Sequence, residues 1–231
     1  MPANYLRTVK HQAVFFDMDG VTVDTASVWA EVEREHVLPN AVENNTQEAR
    51  AEALEEIRGL NVNDAYDRLV SMEDISLTVD RDGFDALYVE KGGYVYEEAS
   101  LMEGYHDIIS SISSDGRRIG LVSASRRDWV DMVLDRFELH GYFDIVVSAD
   151  DVDGPSKPDP TTYLRAAESV GVEPERAVAV EDSPHGIAAA VGAGMRCVAF
   201  RGDGNKDADL SNAHEVVDSP SELHKTLLDG V

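Results

Sequence analysis

The stretch AVFFDMDGVTVDT, residues 13–25, combines an apolar run with two closely spaced carboxylates. The apolar residues at its start lead directly into Asp17, and Asp19 follows two positions later. Because alternate side chains of an extended segment share one face, these two carboxylates can point into one pocket, and Gly20 permits the sharp turn that follows. Such a strand end predicts a nucleophile and a proton-handling partner at the carboxyl edge of a sheet, where open α/β folds bind ligands. The plain alternative is an acidic strand-to-loop junction.

Three further segments place polar groups at the ends of apolar runs or beside prolines. LVSAS ends a strand-like run at Ser123, SKPDP holds Lys157 before two prolines, and AVAVEDSPHG closes in Glu181 and Asp182. The Ser-Pro pair after Asp182 predicts the cap and first turn of a helix. Each segment also has a plain interpretation: Ser123 as a turn or cap hydroxyl, Lys157 as a solvated charge, and the acidic pair as an exposed turn.

In this order the four segments resemble the motifs of the haloacid dehalogenase-like hydrolase superfamily. The matching pieces are DMDGVTVDT, the serine of LVSAS, the lysine of SKPDP and the acidic pair of VEDS. The resemblance covers residues 11 to 30 and 100 to 220, roughly. The runs SASRRDW, GYFDIVVSADDV and EDSPHGI are similar to the subgroup that holds β-phosphoglucomutase and the sugar-phosphate and phosphoglycolate phosphatases.

The resemblance implies phosphoryl transfer through an aspartyl-phosphate. Asp17 would attack phosphorus in line, while Asp19 would protonate the leaving oxygen and later deprotonate the attacking water. Ser123 would donate a hydrogen bond to a phosphoryl oxygen. Lys157 would offset negative charge on both the phosphate and the nucleophile.

The resemblance also implies a magnesium ion. Asp182, with Glu181 directly or through water, would hold the ion beside Asp17 and the backbone carbonyl of Asp19. An all-oxygen ligand set with room for waters and a phosphate favours Mg²⁺ over zinc. The sequence shows no competing cluster of His and Cys ligands.

Alternating strand-like and helical patterns predict an α/β fold whose core is a Rossmann-like parallel sheet with helices on both faces. The predicted strands are rich in apolar and β-branched residues. They span residues 13–16, 119–123, 145–147, 178–181 and 197–200.

The long interval between the first two strands predicts an inserted domain. Residues 27–98 are strongly charged and carry apolar positions at helical spacing, which predicts a helical cap domain within a core formed by 1–26 and 99–231. A cap would shield the site from water and add substrate contacts. Arg58 and Arg126 are the candidate anion-binding residues, since arginine suits bidentate recognition; Arg58 can also be a solvated helix-end cation. Lys91 precedes two glycines that suggest a loop.

Two positions separate a phosphatase from a phosphomutase. In β-phosphoglucomutases a histidine follows the first motif and a cap arginine follows a glycine turn, and those places fall here on Trp29 and Val62. Both are uncharged, which favours a phosphatase, with a β-phosphoglucomutase-like phosphomutase as the alternative. A non-catalytic phosphate-binding module is a third hypothesis, weakened because all six motif residues are present.

The charge balance is strongly acidic, with 45 acidic against 20 basic side chains and a net charge of −25. Such a field disfavours nucleic acid and anionic membranes as partners, and leaves a small phosphorylated metabolite as the expected substrate. Because only five of the basic residues are lysines, the composition also favours a halophilic protein.

Other features indicate a cytoplasmic enzyme. No apolar run is long enough to span a bilayer, and the first residues lack the apolar stretch of a signal peptide. The single cysteine, Cys197, reads as a small strand residue. The segment GDGN, residues 202–205, lacks the third glycine and the helix of a dinucleotide fingerprint. The specific substrate stays open, as does the choice between a monomer and a small homo-oligomer.

Overall fold

The computed structural model of the chain describes residues 11–43, 46–57, 60 and 62–229. It forms two compact units, one from Met1–Asp24 with Leu101–Val231 and the other from Thr25–Ser100. The sequence places the divisions after residue 26 and before residue 99, slightly inside these bounds. The difference arises because the first helix already begins at Ala26.

Strands in the described part of the chain form two sheets. The larger sheet has six strands in the order β5-β4-β1-β6-β7-β8, and each pair of neighbours is parallel. In chain order the strands are β1 (Ala13–Phe16), β2 (Val23–Asp24), β3 (Ser100–Leu101), β4 (Arg118–Val122), β5 (Ile145–Val147), β6 (Ala177–Glu181), β7 (Arg196–Phe200) and β8 (Glu215–Val217). All five predicted strands are present, with bounds that differ by at most one residue. β2 and β3, which pair as a separate two-stranded sheet, were not predicted.

The strand register aligns the carboxyl ends of β1, β4 and β6. Phe16, the last residue of β1, pairs with Leu121 of β4 and with Val180 of β6. Asp17 follows Phe16 directly, Glu181 follows Val180 directly, and Ser123 lies two residues after Leu121. Parallel pairing therefore brings three distant parts of the sequence to one edge of the sheet.

Helices cover both faces of the sheet and confirm the Rossmann-like core. Successive residues of β1 pack against helices on opposite faces of the sheet. Phe15 belongs to a buried cluster with Tyr163 and Ile187, whereas Phe16 makes an edge-to-face contact with Tyr105 at 5.4 Å. The α-helices of the described residues are α1 (Ala26–Val32), α2 (Leu38–Ala41), α3 (Gln47–Ile57), α4 (Val62–Ser71), α5 (Arg81–Glu98), α6 (Tyr105–Ser114), α7 (Arg127–Arg136), α8 (Thr161–Val170), α9 (Pro184–Gly192) and α10 (Pro220–Asp229).

The inserted unit is helical, as predicted, and has a hydrophobic cluster of its own. Ala53 and Leu69, two of the residues at helical spacing, are fully buried in that cluster. A π-helical segment, Glu33–Val37, connects α1 to α2. The expected loop at Lys91 is wrong, because α5 continues through the two glycines and buries the first of them, Gly92, on its packed face.

In the residues that the structure describes, no helix combines the length and the apolar character needed to cross a membrane.

Candidate active site

The first motif forms a strand end that is held by backbone hydrogen bonds. The N–H of Asp17 donates to the carbonyl of Val180 at 2.9 Å, so the ladder with β6 continues one residue past β1. The hydroxyl of Thr22 then donates to the carbonyl of Asp17 at 2.7 Å and closes the turn. The Asp17 side chain keeps only 11% of its surface exposed, which makes it a buried carboxylate.

Gly20 is required by the shape of this turn. Its φ of +76° lies in the left-handed region, which favours glycine. A Cβ atom at Gly20 would also overlap the carboxylate of Asp182. The turn after β1 and the loop after β6 are therefore packed against each other directly, and Asp182 lies beside the backbone of the first motif.

Lys157 is buried and donates all of its protons. Its Nζ lies 2.7 Å from Oδ1 of Asp17, 2.6 Å from Oε1 of Glu181 and 3.0 Å from the carbonyl of Val122. An ammonium group has three donors, so this geometry saturates it. The interpretation of Lys157 as a solvated surface charge is wrong, because the side chain is 6% exposed.

Glu181 is fully buried, so the exposed-turn interpretation is wrong for this residue. Its Oε1 accepts from Lys157 and also from the hydroxyl of Tyr163 at 2.6 Å. The carboxylate packs against Gly186 of α9 so closely that a Cβ atom there would overlap it. Ser183 caps α9 by accepting from the N–H of Gly186, and Pro184 lies in the first turn, as predicted.

Asp17, Glu181 and Asp182 can each offer a carboxylate oxygen such that these oxygens lie within 4.8 Å of one another. Burial, the largest cause, and the charges of Glu181 and Asp19 raise the pKa of Asp17 to about 7, although Lys157 opposes this shift. Burial, the largest cause, and the charges of Asp17, Glu181 and Asp19 raise the pKa of Asp182. Burial opposes the charge on Lys157, but Asp17 and Glu181 outweigh it and raise its pKa.

Burial is the largest cause that raises the pKa of both Asp17 and Asp182, and repulsion among the clustered carboxylates adds to it. Among the described residues, Lys157 is the ammonium that is bonded to these carboxylates, and it offsets only part of their charge. A divalent cation would supply the missing positive charge, and oxygen donors of this kind suit Mg²⁺. The donor set therefore fits the magnesium ion that the sequence predicts. Asp17, Glu181 and Asp182 are the residues that could hold it.

Asp19 is oriented by a residue that the sequence analysis did not single out. The hydroxyl of Ser125 donates to Oδ2 of Asp19 at 2.9 Å. Ser125 lies two positions after Ser123 in LVSAS, in the turn that follows β4, where strand alternation gives no signal. Tyr163 was also missed, because it lies inside a helix with no motif around it.

Ser123 is 1% exposed and follows β4 directly, and its own N–H donates to the carbonyl of Val147 at 2.9 Å. Its Oγ accepts from the N–H of Ser125 at 3.0 Å, so the hydroxyl also stabilises the turn. Arg126 precedes α7, and its side chain is 47% exposed and lies 3.4 Å from Asp128. In the described structure Arg126 pairs with Asp128 and not with the carboxylate cluster. Arg58 lies outside the described residues.

Comparison with known proteins shows the family to which the chain belongs. The family model for haloacid dehalogenase-like hydrolases matches residues 14–200. Hexitol phosphatase B of Escherichia coli (strain K12) is 28% identical over 186 residues, which cover 80% of this chain and 82% of that protein. The fold is similar to that of CbbY from Rhodobacter sphaeroides in complex with phosphate, with a TM-score of 0.75, 25% identity and coverage of 92% of this chain and 96% of that one. It is also similar to β-phosphoglucomutase from Clostridium difficile, with a TM-score of 0.72, 25% identity and coverage of 92% and 93%.

The family match begins within β1 and ends with β7, so it includes every residue of the carboxylate cluster. The chain belongs to the haloacid dehalogenase-like hydrolase family. Within that family it is a phosphoric monoester hydrolase.

Proposed function

We propose that this enzyme is a magnesium-dependent phosphatase that hydrolyses small phosphate monoesters through an aspartyl-phosphate on Asp17. The observation that carries the proposal is the ammonium of Lys157, held between Asp17 and Glu181 at 2.7 and 2.6 Å. A phosphate monoester repels a carboxylate nucleophile, so the reaction needs buried positive charge at that carboxylate. The fold provides it there.

Asp17 acts as the nucleophile. Its Oδ1 is bound by Lys157, which fixes the side chain and leaves the second oxygen to form the bond to phosphorus. In the first step that oxygen bonds to phosphorus and the ester oxygen leaves. In the second step water attacks the same phosphorus and Asp17 is released. Bound Mg²⁺ would neutralise charge on the phosphoryl oxygens and keep Asp17 ionised.

Asp19 acts as the general acid and base. It gives a proton to the departing ester oxygen and accepts one from the water that attacks the phosphorus. Ser125 supports this role because its hydrogen bond directs the carboxylate of Asp19. Ser123 donates a hydrogen bond to a phosphoryl oxygen. Lys157, whose three protons are committed to Asp17, Glu181 and Val122, offsets negative charge on the phosphate and the nucleophile. Arg126 and Arg58 remain candidates for binding the rest of the substrate.

Asp17 and Asp182, with the backbone carbonyl of Asp19, would hold the magnesium ion, and Glu181 would contribute directly or through water. Glu181 has one oxygen occupied by two donors, Lys157 and Tyr163. Its main contribution is therefore to hold Lys157 in place. The substrate class is a small phosphorylated metabolite, consistent with relatives such as hexitol phosphatase B.

A phosphomutase is the second candidate, and similarity to β-phosphoglucomutase supports it. Against it stands Trp29, which occupies the place of the mutase histidine. Trp29 packs on Tyr88 at 5.5 Å and on Tyr96 at 6.3 Å, so it is part of the aromatic packing of the inserted unit. An indole in such packing cannot replace the proton chemistry of a histidine.

The test is a screen of small phosphate monoesters for Mg²⁺-dependent phosphate release, with wild type and Asp17→Asn compared at equal concentration in molar salt. The set includes β-glucose 1-phosphate with and without its bisphosphate. We expect release with wild type and at least a thousandfold less with the variant, since an amide is a poor nucleophile. Substantial turnover by a folded Asp17→Asn variant would show that another group attacks. Isomerisation without net release would favour the mutase, and inactivity of wild type at every salt concentration would favour the binding module.

A further inference from the structure

The segment Gly202–Asn205 follows β7 and has no part in the catalytic scheme. It forms a short 3₁₀ turn, Asp203–Asn205, at the carboxyl edge of the sheet. β7 is the neighbour of β6, the strand that ends in Glu181. The turn therefore lies one strand away from Glu181. Its sequence is not a dinucleotide fingerprint, and its contacts give it a different role.

Asn205 uses its whole side-chain amide to join two loops. Its Nδ2 donates to the carbonyl of Asp182 at 2.7 Å and to the carbonyl of Phe200 at 2.9 Å. Its Oδ1 accepts from the N–H of Gly202 at 2.8 Å. An amide nitrogen has two protons, so both are committed to backbone oxygens.

Asp182 needs such support because it lies just beyond the β-ladder. The pairing of β6 with β7 ends at Glu181, opposite Ala199. The carbonyl of Asp182 therefore has no place in the ladder, and Asn205 gives it a partner. On its other side the Asp182 carboxylate packs against Gly20. The residue is thus fixed at its main chain by Asn205 and at its side chain by the first motif.

The loop that carries Asn205 is held in place by Arg201. Nη1 of Arg201 donates to the carbonyl of Lys206 at 2.8 Å, with longer contacts to the carbonyls of Asn205 at 3.5 Å and Ala208 at 3.4 Å. A single guanidinium therefore gathers the carbonyls of this loop. The amide of Asn205 is presented to Asp182 by an anchored turn.

We propose that Asn205 is a positioning residue for the divalent cation: it fixes the backbone of Asp182 so that the carboxylate is preorganised for Mg²⁺. The proposal rests on the proposed function, because it takes Asp182 as a metal ligand. Mutation of a group that orients a metal ligand commonly lowers the metal affinity by about 10- to 100-fold. Here the contact is to the main chain of the ligand, so we expect an effect at the lower end, about tenfold.

The experiment compares Asn205→Ala and Asn205→Asp with wild type by isothermal titration calorimetry of Mg²⁺ into metal-free protein at constant ionic strength. Asn205→Asp keeps the size of the side chain and the acceptor for Gly202, but it cannot donate to the two carbonyls. The matched control is Asn40→Ala, which removes a side-chain hydrogen bond to the carbonyl of His36 in the inserted unit, 2.7 Å long. We expect Mg²⁺ to bind about tenfold more weakly to both Asn205 variants and unchanged to the control.

Kinetics separate positioning from general damage. The Mg²⁺ concentration for half-maximal activity should rise about tenfold in both Asn205 variants, while kcat at saturating Mg²⁺ and KM for substrate stay within about twofold of wild type. Unchanged Mg²⁺ affinity in both variants would overturn the proposal. Loss of the folded state in both, seen by circular dichroism, would also overturn it, because Asn205 would then be a structural residue.

The Asp182→Ala variant separates a failure of the Asn205 proposal from a failure of the proposed metal site. If this variant loses Mg²⁺ affinity and the Asn205 variants do not, the positioning role is wrong and the metal site stands. If Asp182→Ala binds Mg²⁺ as wild type does, the metal site of the proposed function is itself wrong, and the role of Asn205 is wrong with it.

Discussion

The hydroxyl of Tyr163 donates to Oε1 of Glu181 at 2.6 Å, the same oxygen that accepts from the ammonium of Lys157. The ammonium also lies 5.1 Å from the centre of the Tyr163 ring. A single tyrosine of α8 therefore contacts both members of the ion pair beneath the nucleophile. Removing its hydroxyl changes the support of Lys157 without touching the groups that would meet the substrate.

We predict that Tyr163→Phe lowers both stability and activity. The variant leaves a fully buried carboxylate with one donor fewer, which costs about 1 to 3 kcal/mol of unfolding free energy. Because Glu181 then holds Lys157 less firmly, kcat/KM should fall about tenfold. Urea unfolding and phosphate-release assays measure the two effects. Tyr94→Phe, at an exposed tyrosine of the inserted unit, is the control; equal effects from both changes would contradict the assigned role of Tyr163.

For Asp19→Asn we expect a loss of activity that depends on the leaving group. An amide cannot protonate the departing oxygen, so alkyl phosphates should react at least a hundredfold more slowly. p-Nitrophenyl phosphate needs little protonation and should still phosphorylate Asp17, although hydrolysis of that intermediate slows. Burst kinetics with the two ester types make the comparison. An equal decline for both would remove Asp19 as the leaving-group acid.

The raised pKa of Asp17 predicts an unusual pH dependence of stability in metal-free protein. Burial is the largest cause that raises this pKa from 3.8 to about 7, so the folded chain keeps a proton that the unfolded chain loses. The contribution of Asp17 is then complete below about pH 4 and is lost as the pH rises through about 7, by at most about 1.4 kcal/mol per pH unit.

Asp17→Asn cannot titrate, so it isolates this contribution. With a chelator present, the stability of wild type relative to Asp17→Asn should fall between about pH 4 and 7 and level off above. Mg²⁺ should flatten the difference, because a cation stabilises the ionised carboxylate. A difference that is independent of pH in chelator, measured by thermal unfolding, would show that Asp17 is already ionised without metal.

The net charge of −25 predicts that salt stabilises this protein. Exposed carboxylates repel one another at low ionic strength, and the Debye length shortens from about 10 Å at 0.1 M to about 3 Å at 1 M salt. The melting temperature should therefore rise between about 0.1 and 3 M potassium chloride, and activity should rise with the folded fraction. A flat or falling melting curve would refute the halophilic prediction and leave the site unaffected.

The core strands and their functional ends could be predicted because their signals are local. β1 is a continuous apolar run and β6 is apolar up to its last residue, Glu181, and both strands are buried along their whole length, which is the pattern of central parallel strands. β8 gave no such signal: it is a three-residue edge strand with one fully buried side chain. The two glycines beside Lys91 are compatible with a loop and with a helix, because glycine also permits close packing within a helix.

The α/β core, the inserted helical unit and the motif residues could be predicted because periodicity and residue type over a few positions indicate which strand or loop each residue ends. Which of those residues touch depends on the tertiary structure. Lys157 and Asp17 are 140 positions apart. Lys157 lies in none of the strands, and the packing of its loop against the ends of β1 and β6 buries the ammonium between two carboxylates. The fold likewise gives Tyr163 and Asn205 their contacts, since the value of a hydroxyl or an amide depends on the oxygen that lies beside it.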